Sequence, residues 1–93
     1  MRQIHADHLF LGVDGLSLDA GPSTPDILEA QLNALMVSAA DEVTVVCDAS
    51  KFGRRSLSVI CPMNSVHRVV KDSGINPGTA QELKRLGVQV IIA

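Results

Sequence analysis

Ninety-three residues allow one small domain, and a chain this short hides a smaller share of its surface than one of ordinary size. Hydrophobic residues make up 46% and aromatic ones only 2%, so the interior has to be built from Val, Ile, Leu, Met and Ala, as suits a buried parallel sheet. A net charge of -2 gives no global reason to expect a nucleic acid or an acidic membrane surface, and no run approaches the roughly 20 apolar residues that span a bilayer.

The first apolar run, Leu9-Phe10-Leu11-Gly12-Val13, stops at Asp14-Gly15 and reads as a strand covered on both faces. Asp14 to Thr24, with Gly15, Gly21 and Pro22 and no apolar period, reads as an exposed loop. Thr24-Pro25-Asp26 then predicts a helix start. Thr24 offers a hydroxyl to free amides, Pro25 pre-sets the first helical angle, and Asp26 faces the positive helix end. The helix is predicted to run to about Ala40, with Leu28, Leu32, Leu35, Met36 and Ala39 as its core-facing stripe.

Val43 to Cys47 is β-branched, is ended by Asp48 and predicts a second strand, with Cys47 a small core residue rather than a nucleophile. Leu57 to Cys61, broken by Pro62, is either a short strand or a loop tucking Leu57, Val59 and Ile60 against the core. Val66 to Lys71 is the third strand and stops at Asp72-Ser73-Gly74. A short helix from Pro77 to Leu86, closed by Gly87, leads to a last strand, Val88 to Ile92. Strands separated by helices in this way imply an α/β fold: a Rossmann-like open parallel sheet with helices on its faces.

Cys47 and Cys61 are too far apart for a two-residue-spaced redox pair, and no secretory leader is present, so a reduced, cytoplasmic setting is expected. His5, His8 and His67 have no metal-ligand spacing, and neither a metal nor a cofactor is assigned. His67 is expected packed or half-buried, and His5 and His8 exposed. Charge is unevenly spread: residues 1–50 hold one cation, Arg2, against eight carboxylates, whereas residues 51–93 hold seven cations against Asp72 and Glu82. That asymmetry is either a chance division of solvated faces or a phosphate-attracting cluster around Lys51, Arg54 and Arg55.

Asp14, Asp48 and Asp72 each follow a predicted strand, and ligands of open α/β sheets bind along the edge where strands end. An aspartate in such a place is also a common turn-former. In Asp48-Ala49-Ser50-Lys51-Phe52-Gly53-Arg54-Arg55, a lysine, a hydroxyl and a glycine follow a strand together. They can cradle a phosphate, or form a solvated, salt-paired loop. The spaced glycines of a Walker-type loop are missing, which argues against nucleotide hydrolysis. Glu29, one turn into the first helix, either faces the same crevice or is a surface residue near a helix start.

Leu11-Gly12-Val13-Asp14-Gly15-Leu16, Gly21-Pro22-Ser23-Thr24-Pro25 leading to Glu29-Ala30 and Met36, Asp48-Ala49-Ser50-Lys51-Phe52-Gly53 and Gly87-Val88-Gln89-Val90-Ile91 together resemble the C-terminal sensor domain of DeoR-type transcriptional regulators. The resemblance implies a fold shared with ribose 5-phosphate isomerases and coenzyme A transferases, of which residues 1–93 would be an incomplete half. It implies an effector-binding part of a repressor of a carbohydrate-utilisation operon, with galactitol or amino-sugar catabolism as the expected branch. A phosphorylated sugar or polyol would be sensed rather than converted. By the same resemblance Asp14 and Gly15 would line the sugar site, Thr24 and Glu29 would close one side, and Lys51 would contact the ligand. With Asp48 and Ser50 these form the candidate ligand-binding set, and no residue is assigned as catalytic. Contact with DNA is expected only through the family's N-terminal helix-turn-helix, which these residues do not contain, and a homo-oligomer is expected. Two rivals use the same residues differently. One is a phosphosugar isomerase fragment with Asp14 or Glu29 as general base and Lys51 as electrostatic stabiliser. The other is a truncated module that binds no ligand and only self-associates.

Overall fold

The computed structural model describes residues 6–71 and 77–92. Strand β1 (Ala6–Gly12) is followed by β2 (Gly15–Ser17), β3 (Gly21–Thr24), helix α1 (Ile27–Ala39), β4 (Ala40–Cys47), β5 (Ser58–Val59), β6 (Arg68–Lys71), α2 (Pro77–Arg85) and β7 (Gln89–Ile92). Four of the strands form a parallel sheet in the order β1-β4-β6-β7, and β2-β3-β5 form a small antiparallel sheet. The α/β class and the parallel sheet expected from the β-branched runs are therefore present. Asp72 to Asn76, which include the third strand-ending aspartate, and His5 lie outside the described residues.

Residues paired across a parallel sheet point to the same face. On one face Leu9, Leu11, Val43, Val45, Cys47 and Val69 are buried. Leu11, Val45, Cys47 and Val69 pack with Leu16, Ala30, Ile60, Met63, Leu83 and Val88 into one core. The opposite face is different: His8, Phe10, Gly12, Val46 and Ile91 are exposed, Phe10 by 67%. The first strand is thus covered on one face, not both as its unbroken apolar run suggested. Topology supplies the reason. Strands laid down in chain order in one direction, joined by connections of one hand, carry all those connections on one side. The helices accordingly do not flank both faces among the described residues.

The segment expected to be an exposed loop is a hairpin, with Gly15 paired to Ser23 and Ser17 to Gly21, and Gly21 to Thr24 are all buried. Small residues are there because the backbone is crowded: Gly21 has φ 101°, and a Cβ on it would lie 2.1 Å from the Cys61 carbonyl oxygen. Of the two readings of Leu57 to Cys61, the strand is found, as β5 pairing with β3. Ile60 and Cys61 are buried, but Leu57 and Val59 are not tucked in, Leu57 being 84% exposed.

Helix α1 exists as predicted, but its orientation is the reverse of the expected one. Leu28 (73% exposed), Leu32 (58%), Leu35 and Met36 face outward, while Ala30 is buried and Val37 packs on the core. The helix is apolar around most of its circumference, so periodicity alone does not choose a face, and the alanine side lets the backbone lie close to the sheet. Its cap is Asp26, whose carboxylate accepts from the amides of Leu28 at 2.8 Å and Glu29 at 3.2 Å. Thr24, expected there, is two residues earlier, at the end of β3. His67 precedes β6 and is exposed instead of packed, yet it extends the pairing: Val43 N–H donates to His67 Nδ1 and His67 N–H to the Val43 carbonyl, both at 2.9 Å.

Candidate functional site

Because β1 and β4 run parallel, Asp14, just beyond one, and Asp48, just beyond the other, leave the sheet along the same edge. There a cavity of about 670 Å³ is lined by Asp14, Pro25, Lys51, Arg54, Arg55, Ser56 and Leu57. Asp14 and Lys51, distant in sequence, share its wall. Lys51, Arg54 and Arg55 make no ion pair and no side-chain hydrogen bond among the described residues, so three cations converge on one opening.

Asp14 also belongs to an acidic group beside the cavity. Thr24 is only 1% exposed, and its hydroxyl lies 3.2 Å from Asp14 Oδ2 and 3.4 Å from Glu29 Oε1, donating to this pair of carboxylates. One buried hydroxyl therefore ties the turn after β1 to the first turn of α1. Both carboxylates are exposed, with lone pairs left for hydroxyl groups of a ligand.

Of the expected site residues Asp14 and Lys51 line the cavity, whereas Thr24, Glu29, Gly15, Asp48 and Ser50 lie outside its lining. Asp48 accepts from the Ser50 hydroxyl and from the Ser50 amide at 3.0 Å, turning the chain after β4. The Ser50 hydroxyl, then its amide and the charges of Lys51 and Arg54, hold the Asp48 carboxyl below its usual range against a smaller opposing effect of burial. Gly15 is buried beneath the cationic segment, where a Cβ would come within 2.7 Å of the Arg54 carbonyl oxygen. Phe52 bridges to Leu16 and lies 5.3 Å from the buried ammonium of Lys71, which seats this segment on the end of β6. Ser56 was not singled out from sequence, and Pro25 and Leu57 were read as a helix start and a core residue, not as cavity lining. The place of Ser56 and Leu57 in the wall depends on the return path of the chain from Gly53 to β5, which spacing does not encode. Among the described residues no group of His, Cys, Asp and Glu is arranged to hold a metal ion, and no helix is long and apolar enough to cross a membrane.

The family described as "DeoR C terminal sensor domain" matches residues 1–73. The chain belongs to the DeoR sensor-domain family. Among its relatives, a putative aga operon transcriptional repressor of Escherichia coli O157:H7 is 39% identical over 99% of this chain and 34% of the relative. The HTH-type transcriptional regulator GlpR of Haloferax volcanii is 33% identical over 98% of this chain and 36% of that protein. The HTH-type transcriptional regulator GolR of Listeria innocua is 25% identical over the full chain and 37% of its own length. The chain spans about a third of the relatives it matches. This DeoR-type family consists of transcriptional regulators, not enzymes, so the isomerase alternative is set aside. Of the residues singled out by the resemblance, Asp14 and Lys51 line the cavity, and Thr24 joins Asp14 to Glu29 beside it.

Proposed function

We propose that this chain is the effector-binding portion of a cytoplasmic transcriptional repressor of a carbohydrate-utilisation operon, and that its effector is a phosphorylated sugar or polyol. The observation that carries the reading is the cavity in which Asp14 meets three cations. Lys51, Arg54 and Arg55 face a phosphate, and Asp14, joined through Thr24 to Glu29 beside the cavity, accepts from sugar hydroxyls. Gly15, Asp48 and Ser50 shape the rim from behind. In the complete protein, effector binding is coupled to DNA contact through a helix-turn-helix that residues 1–93 do not supply, and the domain is the incomplete half of a ribose 5-phosphate isomerase-like fold. The proposed assembly is a homo-oligomer, a reading favoured by the exposed apolar stripe on α1.

Thermal-shift and calorimetric titrations with galactitol phosphate, amino-sugar phosphates and their unphosphorylated counterparts test the reading. Phosphorylated compounds should raise the melting temperature and the free sugars should do much less. Lys51→Ala should weaken phosphate-ester binding by about tenfold or more, the scale of one charge-assisted hydrogen bond. Equal responses to both ligand classes, or full retention of binding by the mutant, would remove the phosphate from the proposal.

A further inference from the structure

The cationic wall is built on a backbone fastened to the β2–β3 hairpin, and the fastening passes through a residue outside the cavity. Ser23 is 0% exposed. Its hydroxyl donates to the Gly15 carbonyl at 3.4 Å and accepts from the Ser56 amide at 2.8 Å. A hydroxyl has one proton and two lone pairs, so it can link a carbonyl and an amide that do not meet directly. Upstream, Gly53 N–H donates to the Leu16 carbonyl at 2.9 Å. Downstream, Ile60 N–H donates to the Pro22 carbonyl at 2.8 Å.

Arg54 and Arg55 therefore lie between two anchors, Gly53 and Ser56, both made to the same hairpin. Gly15 allows the close approach: any side chain there would meet both the Arg54 carbonyl oxygen and the Ser23 hydroxyl. The neighbouring residue, Thr24, donates to Asp14, the carboxylate in the cavity lining. Adjacent side chains on one short strand thus hold the backbone of the cationic segment, through Ser23, and the carboxylate that shares the cavity with it, through Thr24.

We infer that Ser23 is a positioning residue for anion binding, setting where the two guanidinium groups stand before a ligand arrives. The inference rests on the sugar-phosphate reading of the cavity. Long exposed cations bind an anion weakly when each must be ordered on binding; a pinned backbone removes part of that cost beforehand. Ser23→Ala leaves the Ser56 amide without its acceptor and lets the Arg54–Ser56 span move, while no charge and no cavity-lining side chain is changed.

The test uses the 93-residue chain with inorganic phosphate as the probe, together with amide hydrogen exchange followed by NMR. In the wild type the Ser56 amide should exchange as slowly as amides of the β2–β3 pair. In Ser23→Ala it should exchange at least about tenfold faster, and phosphate should bind about three- to tenfold more weakly with a shallower dependence on salt. A merely structural role would lower the melting temperature without changing the salt dependence. Phosphate binding by the wild type, with unchanged affinity and salt dependence in the mutant, overturns the inference alone. No phosphate binding by the wild type overturns the functional reading and the inference with it. Should the mutant fail to fold, wild-type exchange still decides: a Ser56 amide exchanging at the rate of an unstructured chain shows that the clamp does not exist.

Discussion

Replacing Thr24 by valine keeps the shape of a buried side chain and deletes the one hydroxyl that connects Asp14 to Glu29. A hydrogen bond to a charged group contributes about 1.5–3 kcal/mol when short and well formed. Here a single proton serves two oxygens at 3.2 and 3.4 Å, longer than the usual hydroxyl–oxygen distance. Both carboxylates are exposed and regain water once the hydroxyl is gone, so no buried charge is stranded. The expected loss therefore falls below that range, at about 1 kcal/mol. For a domain of this size that is a fall of about 4–8 °C in melting temperature. Circular dichroism melts measure it directly. Calorimetry adds the functional half: affinity for a sugar phosphate should fall, because its hydroxyl acceptors are no longer held together, while affinity for inorganic phosphate, which needs only the cationic wall, should not. An unchanged melting temperature, or equal losses for the two ligands, would refute the bridging role assigned to Thr24.

Gly21→Ala should cost at least about 3 kcal/mol and remove the cooperative thermal transition, since it combines a positive φ with a clash against the Cys61 backbone. Glu42 is held below its ordinary value of 4.5 first by the hydrogen bond from Arg68 and then by that cation's charge. A lowered folded value means that its contribution is complete above 4.5 and is lost as pH falls through the folded value. Glu42→Gln should therefore lower stability slightly at neutral pH, match the wild type at low pH where the contribution is already lost, and so flatten the acid limb of the stability profile. Burial pushes the Cys61 thiol up to about 11, so a thiol reagent at neutral pH should react slowly with Cys61 in the folded chain and quickly after denaturation. The outward stripe of α1 should drive association of the chain. Leu32→Glu should shift light-scattering masses toward the monomer, and a wild type that is strictly monomeric across concentration would count against that role.

The parallel strands were legible because β-branched runs such as Val43 to Cys47 have few other uses, and α2 because Pro77 and Gly87 bracket it. The reading of Asp14 to Thr24 failed for an instructive reason. Gly, Pro and Ser signal a loop by composition, but here their smallness lets the hairpin pack against the Arg54 and Cys61 backbones. The reversed face of α1 has a different origin. Leu28, Leu32 and Leu35 carry more apolar surface than Ala30 and Ala34, and a rule that buries the larger side chains picks the wrong stripe. At the candidate site, the meeting of Asp14 with Lys51 followed from strand direction alone. Ser23 and Leu57 did not, since their roles depend on where the chain returns after Gly53.

The bare side of the parallel sheet has a practical corollary for protein engineering. Phe10, Val46 and Ile91 project from strand positions that bear no load in the core, so hydrophilic replacements there should leave the fold intact while suppressing precipitation. A soluble, freestanding version of the module could be reached by editing three outward positions and nothing within the rim that holds Thr24 and Ser23.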